Sequence, residues 1–473
     1  MKTPVNPISD DCAFISVLNP ATQELIGKVP NMNPADIDEA VSRASAAGTK
    51  WAGLDPTDRG KILYAAAGAI RSEQEKFARI LTTEQGKPLN ESRNEVAGFA
   101  RVLEYYASIS GGLKGDYGKS SLYGHAIVSR QPLGVCGAII PWNMPALIMG
   151  WKSGPALAAG NSLILKPASS APLTCTALAS CMVSAGLPED VLQIVTGPGE
   201  VTGESIATHP DIRAVSFTGS IEAGRRVALL ASPLFKRTTL ELGGSDPMIV
   251  CSDADLTEAA KGAVAGRFYN CGQTCTAIKR LYVDKSIEEP FIKKLMVLMD
   301  SLNLGNGLTP GVTMGPVHSH TQRERIIDQI KRTTDGEFGS VRTGGICPGH
   351  PAMKDGFFFE PTLLTDLASD APVCIEEVFG PVLPVIPFDT LNSAIKSANS
   401  TRYGLGASVW THDSRIISRV SQEVRTGIIW INQHLRIPPE VPFGGTKDSG
   451  IGRENGRFAL DHYLEEKTVL IKP

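Results

Sequence analysis

Val135-Cys136-Gly137-Ala138-Ile139-Ile140, then Pro141-Trp142-Asn143-Met144-Pro145, then Ser162-Leu163-Ile164-Leu165 farther on, is the stretch that decides how this chain folds. The first six residues carry no polar side chain and no alternation, as a strand buried on both faces requires. The two prolines punctuate its end, residues 146–159 read as a helix, and 162–165 is a second buried run. Strand, helix and parallel strand form a crossover unit that repeats. Helix 172–185, strand 191–195, helix 201–209, strand 214–217, helix 221–230 and strand 237–240 follow. The prediction is an α/β fold with a mostly parallel sheet covered on both faces, and a second series of the same kind from about Asp253 to Phe443.

Outward from this core, residues 18–30 read as two strands around a turn. Asn33-Pro34 offers an N-cap and a first-turn proline, followed by Ile37, Ala40, Val41 and Ala44 at helical spacing. Amphipathic helices are expected over 61–81 and 95–108, and a hairpin over Ser120–Gln131, closed by Pro132-Leu133-Gly134. The tail carries a strand-like Thr468-Val469-Leu470-Ile471, which needs a partner in that hairpin or in another subunit.

At 473 residues the chain exceeds one ordinary core, so two or three domains are expected. A net charge of −3 argues against a nucleic-acid surface. No apolar run reaches membrane-spanning length, and Met1–Pro20 lacks a signal-peptide layout, so a cytoplasmic protein with no membrane partner is expected. Nine scattered cysteines form no disulfide framework; Cys136, Cys175, Cys181 and Cys251 sit in apolar context and read as core. Eight histidines form no His-x-x-x-His pair, His318 and His320 read as loop residues, and no metal is expected.

Two Gly-flanked segments carry the reactive groups. Asn270-Cys271-Gly272-Gln273-Thr274-Cys275 offers a thiol, and Leu240-Glu241-Leu242-Gly243-Gly244 a carboxylate. Brought together, they suit thiolate attack on a carbonyl followed by thioester hydrolysis. Phe217-Thr218-Gly219-Ser220 follows a buried strand and opens a helix, the place for a nucleotide phosphate in an α/β sheet, although a plain helix-capping turn fits equally. Lys166-Pro167 ends another strand, where a lysine reaches ribose hydroxyls or phosphate, or merely solvent. Asn143 offers an amide to an oxyanion or simply makes a turn. Glu376-Glu377-Val378-Phe379-Gly380-Pro381 offers a carboxylate and a ring, or a surface acidic pair.

Taken in order, Pro141-Trp142-Asn143, Lys166-Pro167, Phe217-Thr218-Gly219-Ser220, Glu241-Leu242-Gly243-Gly244, Gly272-Gln273-Thr274-Cys275, Glu377-Val378-Phe379-Gly380-Pro381 and Pro442-Phe443-Gly444-Gly445 through Lys447 and Ser449-Gly450 resemble the aldehyde dehydrogenase superfamily, from Asn19 onward. The resemblance implies NAD(P)+-dependent oxidation of an aldehyde to an acid, of the non-acylating, hydrolytic type. It makes Cys275 the nucleophile, Asn143 an oxyanion donor, Glu241 the base for water, and Glu465, in Tyr463-x-Glu465-x-Lys467-Thr468-Val469, a carboxylate assisting proton exit. It places Lys166 and Gly199 at the adenosine and Gly219 and Ser220, with Thr218 before them, at the pyrophosphate. Glu377 and Phe379 fall at the nicotinamide ribose, beside Pro141 and Trp142. Ser169 stands where NAD-preferring relatives often carry a glutamate, which implies dual or NADP-leaning specificity. Arg436 and Tyr269 are expected near a small aliphatic, hydroxylated or semialdehyde substrate.

The resemblance also implies two Rossmann-like α/β domains and a small β oligomerisation module. They are a dinucleotide-binding domain at 1–113 and 134–243, a catalytic domain at 244–458, and a hairpin with C-terminal strand at 114–133 and 459–473. A homodimer or homotetramer is expected. The rival readings are a CoA-acylating semialdehyde dehydrogenase, which Glu241 argues against, and a catalytically silent structural relative, which retention of Cys275, Glu241 and Asn143 argues against.

Overall fold

The computed structural model describes residues 13–472; the reading of Met1–Cys12 lies outside them. Among the described residues the chain is α/β, with two large sheets and two small ones. The first large sheet orders its strands Gly450–Ile451, Arg237–Glu241, Ile212–Thr218, Val135–Ile139, Ser162–Lys166 and Leu192–Ile194. All pairings are parallel except that of Gly450–Ile451, which runs antiparallel to the Arg237–Glu241 strand. Val135–Ile139 is buried at every position, as its unbroken apolar run demands. The second large sheet orders Ser340–Thr343, Thr362–Thr365, Val382–Phe388, Ile278–Asp284, Asp246–Val250, Gly406–Trp410 and Ile428–Ile431. It starts at Asp246, slightly before the Asp253 expected.

The outer elements follow the sequence with three differences, one being that the hairpin expected over Ser120–Gln131 draws its first strand from Asp116–Ser120, ahead of that range. Asn33 caps helix Pro34–Ala52 in a full capping box with Asp36, and its apolar stripe is buried. The single helix expected over 61–81 is instead two, Pro56–Ser72 and Gln74–Gln85, broken at Glu73. The Ser72 hydroxyl donates to the Ala69 carbonyl at 2.7 Å, a local bond that competes with the helical ladder where the chain turns. The helix expected over 201–209 is α-helical only at Glu204–Thr208, after a wider π turn at Gly199–Gly203.

The hairpin Asp116–Ser120 and Gly124–Pro132 takes the tail strand Leu464–Ile471 on its outer edge, in antiparallel register from Leu464 opposite Pro132 to Ile471 opposite His125. The tail therefore pairs within its own chain. Tyr117, Leu122, Ile127, Leu470 and Ile471 remain exposed on this sheet.

Only Leu242–Ser245 separate the end of strand Arg237–Glu241 from the start of strand Asp246–Val250. The chain thus steps directly from one large sheet to the other. Carboxyl ends of strands in the first sheet consequently meet amino ends of strands in the second, and every reactive segment lies along that seam.

Candidate active site

From the first sheet, the strand ends at Ile139, Lys166, Thr218 and Glu241 deliver Pro141-Trp142-Asn143, Lys166, Thr218-Gly219-Ser220 and Glu241, in the crevice where α/β sheets bind ligands. From the second, Cys275 precedes strand Ile278–Asp284 and Glu377–Phe379 precede strand Val382–Phe388. Glycines let the segments touch. A Cβ on Gly243 would lie 2.2 Å from Glu377 Oε2, and one on Gly244 would lie 2.6 Å from the Cys275 carbonyl oxygen. The pair after Glu241 is glycine because two other functional segments pack against it.

Two cavities open on either side of Cys275 and share Asn143, Ile148 and Cys275 in their walls. The first, about 560 Å³, is a cleft lined by Pro141, Trp142, Thr218, Gly219, Ser220, Glu377 and Phe379. Ser220 caps helix Ile221–Ala231, so the helix N-terminus faces the cleft. The Thr218 hydroxyl is buried without a partner among the described residues. Trp142 stacks on His318 at 4.4 Å and meets Phe379 edge-on at 5.5 Å. His318 is therefore buried behind the cleft rather than in a surface loop; burial lowers its pKa to about 4. Gln322 and Arg325, which the sequence reading passed over, also line this cleft.

Cys275 follows a strained turn. Asn270 and Cys271 have φ of 52° and 54° and Gly272 follows at 71°, three left-handed residues in a row. Each non-glycine residue there costs about 1–2 kcal/mol. Hydrogen bonds fix the turn. The Asn270 N–H donates to Glu91 at 2.9 Å, and its side-chain amide donates to the Asn143 carbonyl at 2.8 Å. The buried Lys87, paired with Glu95, donates to that same carbonyl at 2.7 Å. The Asn143 Nδ2 donates to the Gln273 carbonyl at 2.9 Å, which leaves its second hydrogen for another acceptor. Asn143 and the Cys275 loop are thus clamped together. Burial raises the Cys275 thiol to about 12; Asp246, Glu377 and Glu241 push the same way and Lys279 opposes them.

Glu241 lies behind the cleft wall, close enough to act electrostatically on Cys275. Burial drives its carboxyl well above the usual range, aided by Glu454 and opposed by Lys152, Arg453 and the Gly445 N–H. Neither oxygen accepts a hydrogen bond of normal geometry among the described residues. The Pro442–Gly450 motif walls it in. Leu242 N–H donates to the Ser449 carbonyl at 2.9 Å, and a Cβ on Gly444, at φ 159°, would lie 2.5 Å from Glu241 Oε1.

The second carboxylate near Glu241 is Glu454, not Glu465. Glu465 sits on the tail strand opposite Gln131, exposed, and lines neither cavity. Strand pairing carries it away from the seam. Glu454 is buried, paired with the buried Lys152 and hydrogen-bonded by the Ser216 hydroxyl at 3.0 Å. The signal for this pair was Lys152 itself, a cation in the otherwise apolar helix Pro145–Ala159, where an unpaired ammonium is untenable.

Lys166, Ser169 and Gly199 form an adjoining patch outside the walls of the cleft. Ser169 donates to the Gly197 carbonyl at 2.8 Å, just before Gly199. Among the described residues the Lys166 Nζ donates to the Pro167 carbonyl alone, at 2.9 Å, and burial lowers its pKa to about 8.

The second cavity, about 1190 Å³, is a funnel between helix Leu89–Ser110, the start of helix Pro145–Ala159 and the loop 432–440. Its inner wall is Val102, Met144, Leu147, Ile148, Trp151, Tyr269 and Ile437. Tyr269 stands deep in it, and burial raises its hydroxyl well above the usual range. Arg436 belongs to the exposed rim, with Arg101 and Glu440.

The aldehyde dehydrogenase family model matches residues 8–469. A phenylacetaldehyde dehydrogenase of Pseudomonas fluorescens is 40% identical over 480 aligned residues, covering 99% of this chain and 94% of that protein. An NADP-dependent enzyme of E. coli superposes with a TM-score of 0.94 at 37% identity, covering 97% of this chain and 94% of that one. A betaine aldehyde dehydrogenase of Staphylococcus aureus, in complex with NAD+, superposes with a TM-score of 0.94 at 34% identity, covering 98% and 92%.

Proposed function

The chain belongs to the aldehyde dehydrogenase family and is an NAD(P)-dependent oxidoreductase acting on aldehydes, and we propose that it works through a covalent adduct on Cys275 that water, not CoA, releases. The observation that carries this reading is the meeting of cleft and funnel at Cys275 and Asn143.

The cleft fits a dinucleotide: it offers a helix N-terminus, an unpartnered Thr218 hydroxyl and the Glu377 carboxylate beside two aromatic rings. When bound, the cofactor supplies a hydride acceptor. The Cys275 thiol loses its proton to solvent, the thiolate sulfur adds to the aldehyde carbon, and the carbonyl oxygen becomes an oxyanion. The free hydrogen of the Asn143 amide and the Cys275 N–H donate to that oxygen; one such donor is worth about 3 kcal/mol. Loss of hydride from the same carbon leaves a thioester on Cys275. Glu241 takes a proton from water, hydroxide adds to the thioester, the C–S bond breaks, and the acid departs. Glu454, with one oxygen unpartnered among the described residues, is the next carboxylate along which that proton moves.

Because its pKa is raised, Glu241 is protonated, and idle as a base, over part of the range where an ordinary glutamate is ionised. Turnover therefore climbs with pH as Glu241 ionises, until it is fully the carboxylate. Rapid-mixing measurement of NAD(P)H tests the scheme. Cys275→Ala gives none. Asn143→Ala slows the first turnover by roughly 10²–10³-fold. Glu241→Gln keeps the first-turnover burst, loses steady turnover by roughly 10²–10⁴-fold and loses the rise with pH. Undiminished steady turnover in Glu241→Gln would overturn water activation by Glu241.

An uncharged Ser169 beside Lys166 supports acceptance of NADP+ alongside NAD+. The funnel is larger than a small aliphatic or semialdehyde substrate needs, and its apolar wall supports an aldehyde with an extended apolar body. The exposed apolar side chains of the hairpin–tail sheet support a homodimer or homotetramer built on that sheet. Sedimentation at micromolar concentration checks this, and a monomer counts against it.

A further inference from the structure

Lys279 is a lysine with no exposed surface, on the strand that follows the nucleophile. An unpaired ammonium there is strongly unfavourable, so its partners matter. Its Nζ donates to the Cys275 carbonyl at 2.7 Å and the Thr274 carbonyl at 2.9 Å, and lies 3.3 Å from Glu377 Oε1. Two of its hydrogens are thereby donated to carbonyls, and its charge is paired with Glu377. It also stands 5.8 Å from the Phe379 ring centroid. Glu377 in turn accepts the Gly244 N–H at 3.1 Å and lines the cofactor cleft. One buried cation therefore bridges the backbone of the nucleophile and a carboxylate that faces the cleft.

Resting on the reading of Cys275 as nucleophile, we propose that Lys279 is a positioning residue that couples occupancy of the cleft at Glu377 to the reactivity of the Cys275 thiol. Glu377 shares its charge between Lys279 and whatever lies in the cleft. Hydroxyl donors arriving there draw on the carboxylate, and more of the ammonium's field is left to stabilise a thiolate. Lys279 opposes the rise that burial imposes on Cys275, and the carboxylates Asp246, Glu377 and Glu241 reinforce that rise. Asp246, itself raised to about 7 by burial, faces Lys279 and Arg280, while His434, lowered to about 4, is neutral beside it.

The test is the pH profile of Cys275 alkylation by iodoacetamide, followed by mass spectrometry without aldehyde, with and without NAD+ or NADP+. Lys279→Met should react at least tenfold more slowly than wild type at pH 7 and lose its response to cofactor. Lys279→Arg, keeping the charge, should recover most of both. Glu377→Gln should move the other way, reacting faster than wild type in the free enzyme and responding little to cofactor. A residue that merely supports the fold would make both neutral variants slower. Equal slowing in Lys279→Met and Glu377→Gln, or wild-type profiles in both, overturns the proposal. If Lys279→Met does not fold, Lys279→Arg and Glu377→Gln still decide it. The exposed Cys347 is alkylated in every variant and serves as the internal reference, whereas a wild-type Cys275 that takes no label would count against it as nucleophile, a separate failure.

Discussion

The cleft and the funnel meet at one sulfur but are built differently. The cleft is made of strand ends and the short turns that leave them: Pro141-Trp142-Asn143, Thr218-Gly219-Ser220 and Glu377–Phe379. It mixes polar groups with aromatic and aliphatic ones, and glycines let its segments come into contact. The funnel is made of side chains on helix faces and one loop, drawn from Leu89–Ser110, Pro145–Ala159 and 432–440. Its wall is apolar and adaptable. The cleft thus rests on backbone-dictated geometry, and the funnel on side chains that exchange without disturbing a sheet.

If that division holds, each cavity should change alone. The largest effect is expected from Ser169→Glu. A carboxylate facing a 2′-phosphate at close range is worth about 1–4 kcal/mol, so the preference for NADP+ over NAD+ should fall by roughly 5- to 900-fold. The KM for aldehyde should stay within a factor of two. Lys166 adds a pH signature: with its pKa near 8, its charge is present below that value and lost above it. NADP+ affinity should therefore weaken as pH rises through about 8, more steeply than NAD+ affinity. Titration of each cofactor by fluorescence quenching measures both; equal losses for the two would remove the distinction. The smallest effect belongs to the funnel. Leu147→Ala removes apolar contact worth about 1–2 kcal/mol, lowering kcat/KM for an aldehyde with an extended apolar body by roughly 5- to 30-fold while the constants for a two-carbon aldehyde and for cofactor barely move. A cofactor KM that shifts with it would show the cavities to be coupled through the shared Ile148.

The same contrast governs what could be read beforehand. Strand ends announce themselves: an unbroken apolar run, then proline or glycine, then a polar residue. Asn143 is of this kind, Glu241 ends its own strand just ahead of a glycine pair, Cys275 and Glu377 lie in turns that lead into strands, and the structure brings their segments together. Lys152, Glu454 and Lys279 are buried ions whose partners lie far away in sequence, and only packing pairs them. Glu465 shows the opposite error, since a motif in the tail promised a carboxylate at the seam and strand pairing took it to the surface. The break at Glu73 was likewise invisible to periodicity, because a helical stripe continues across a turn that one serine hydroxyl bond helps to make.

By itself the sequence determined the α/β class, the order of its strands along the chain, and the segments that carry thiol, carboxylate and amide. These depend on local patterns of burial and turn chemistry, which a linear string records. Tertiary structure alone decided that the carboxyl ends of one sheet abut the amino ends of the other. It also decided which buried charges are paired, and that a large funnel with an apolar inner wall opens at Cys275 opposite the cleft. Those depend on distances between residues hundreds of positions apart, and the low dielectric of the seam makes each such distance count.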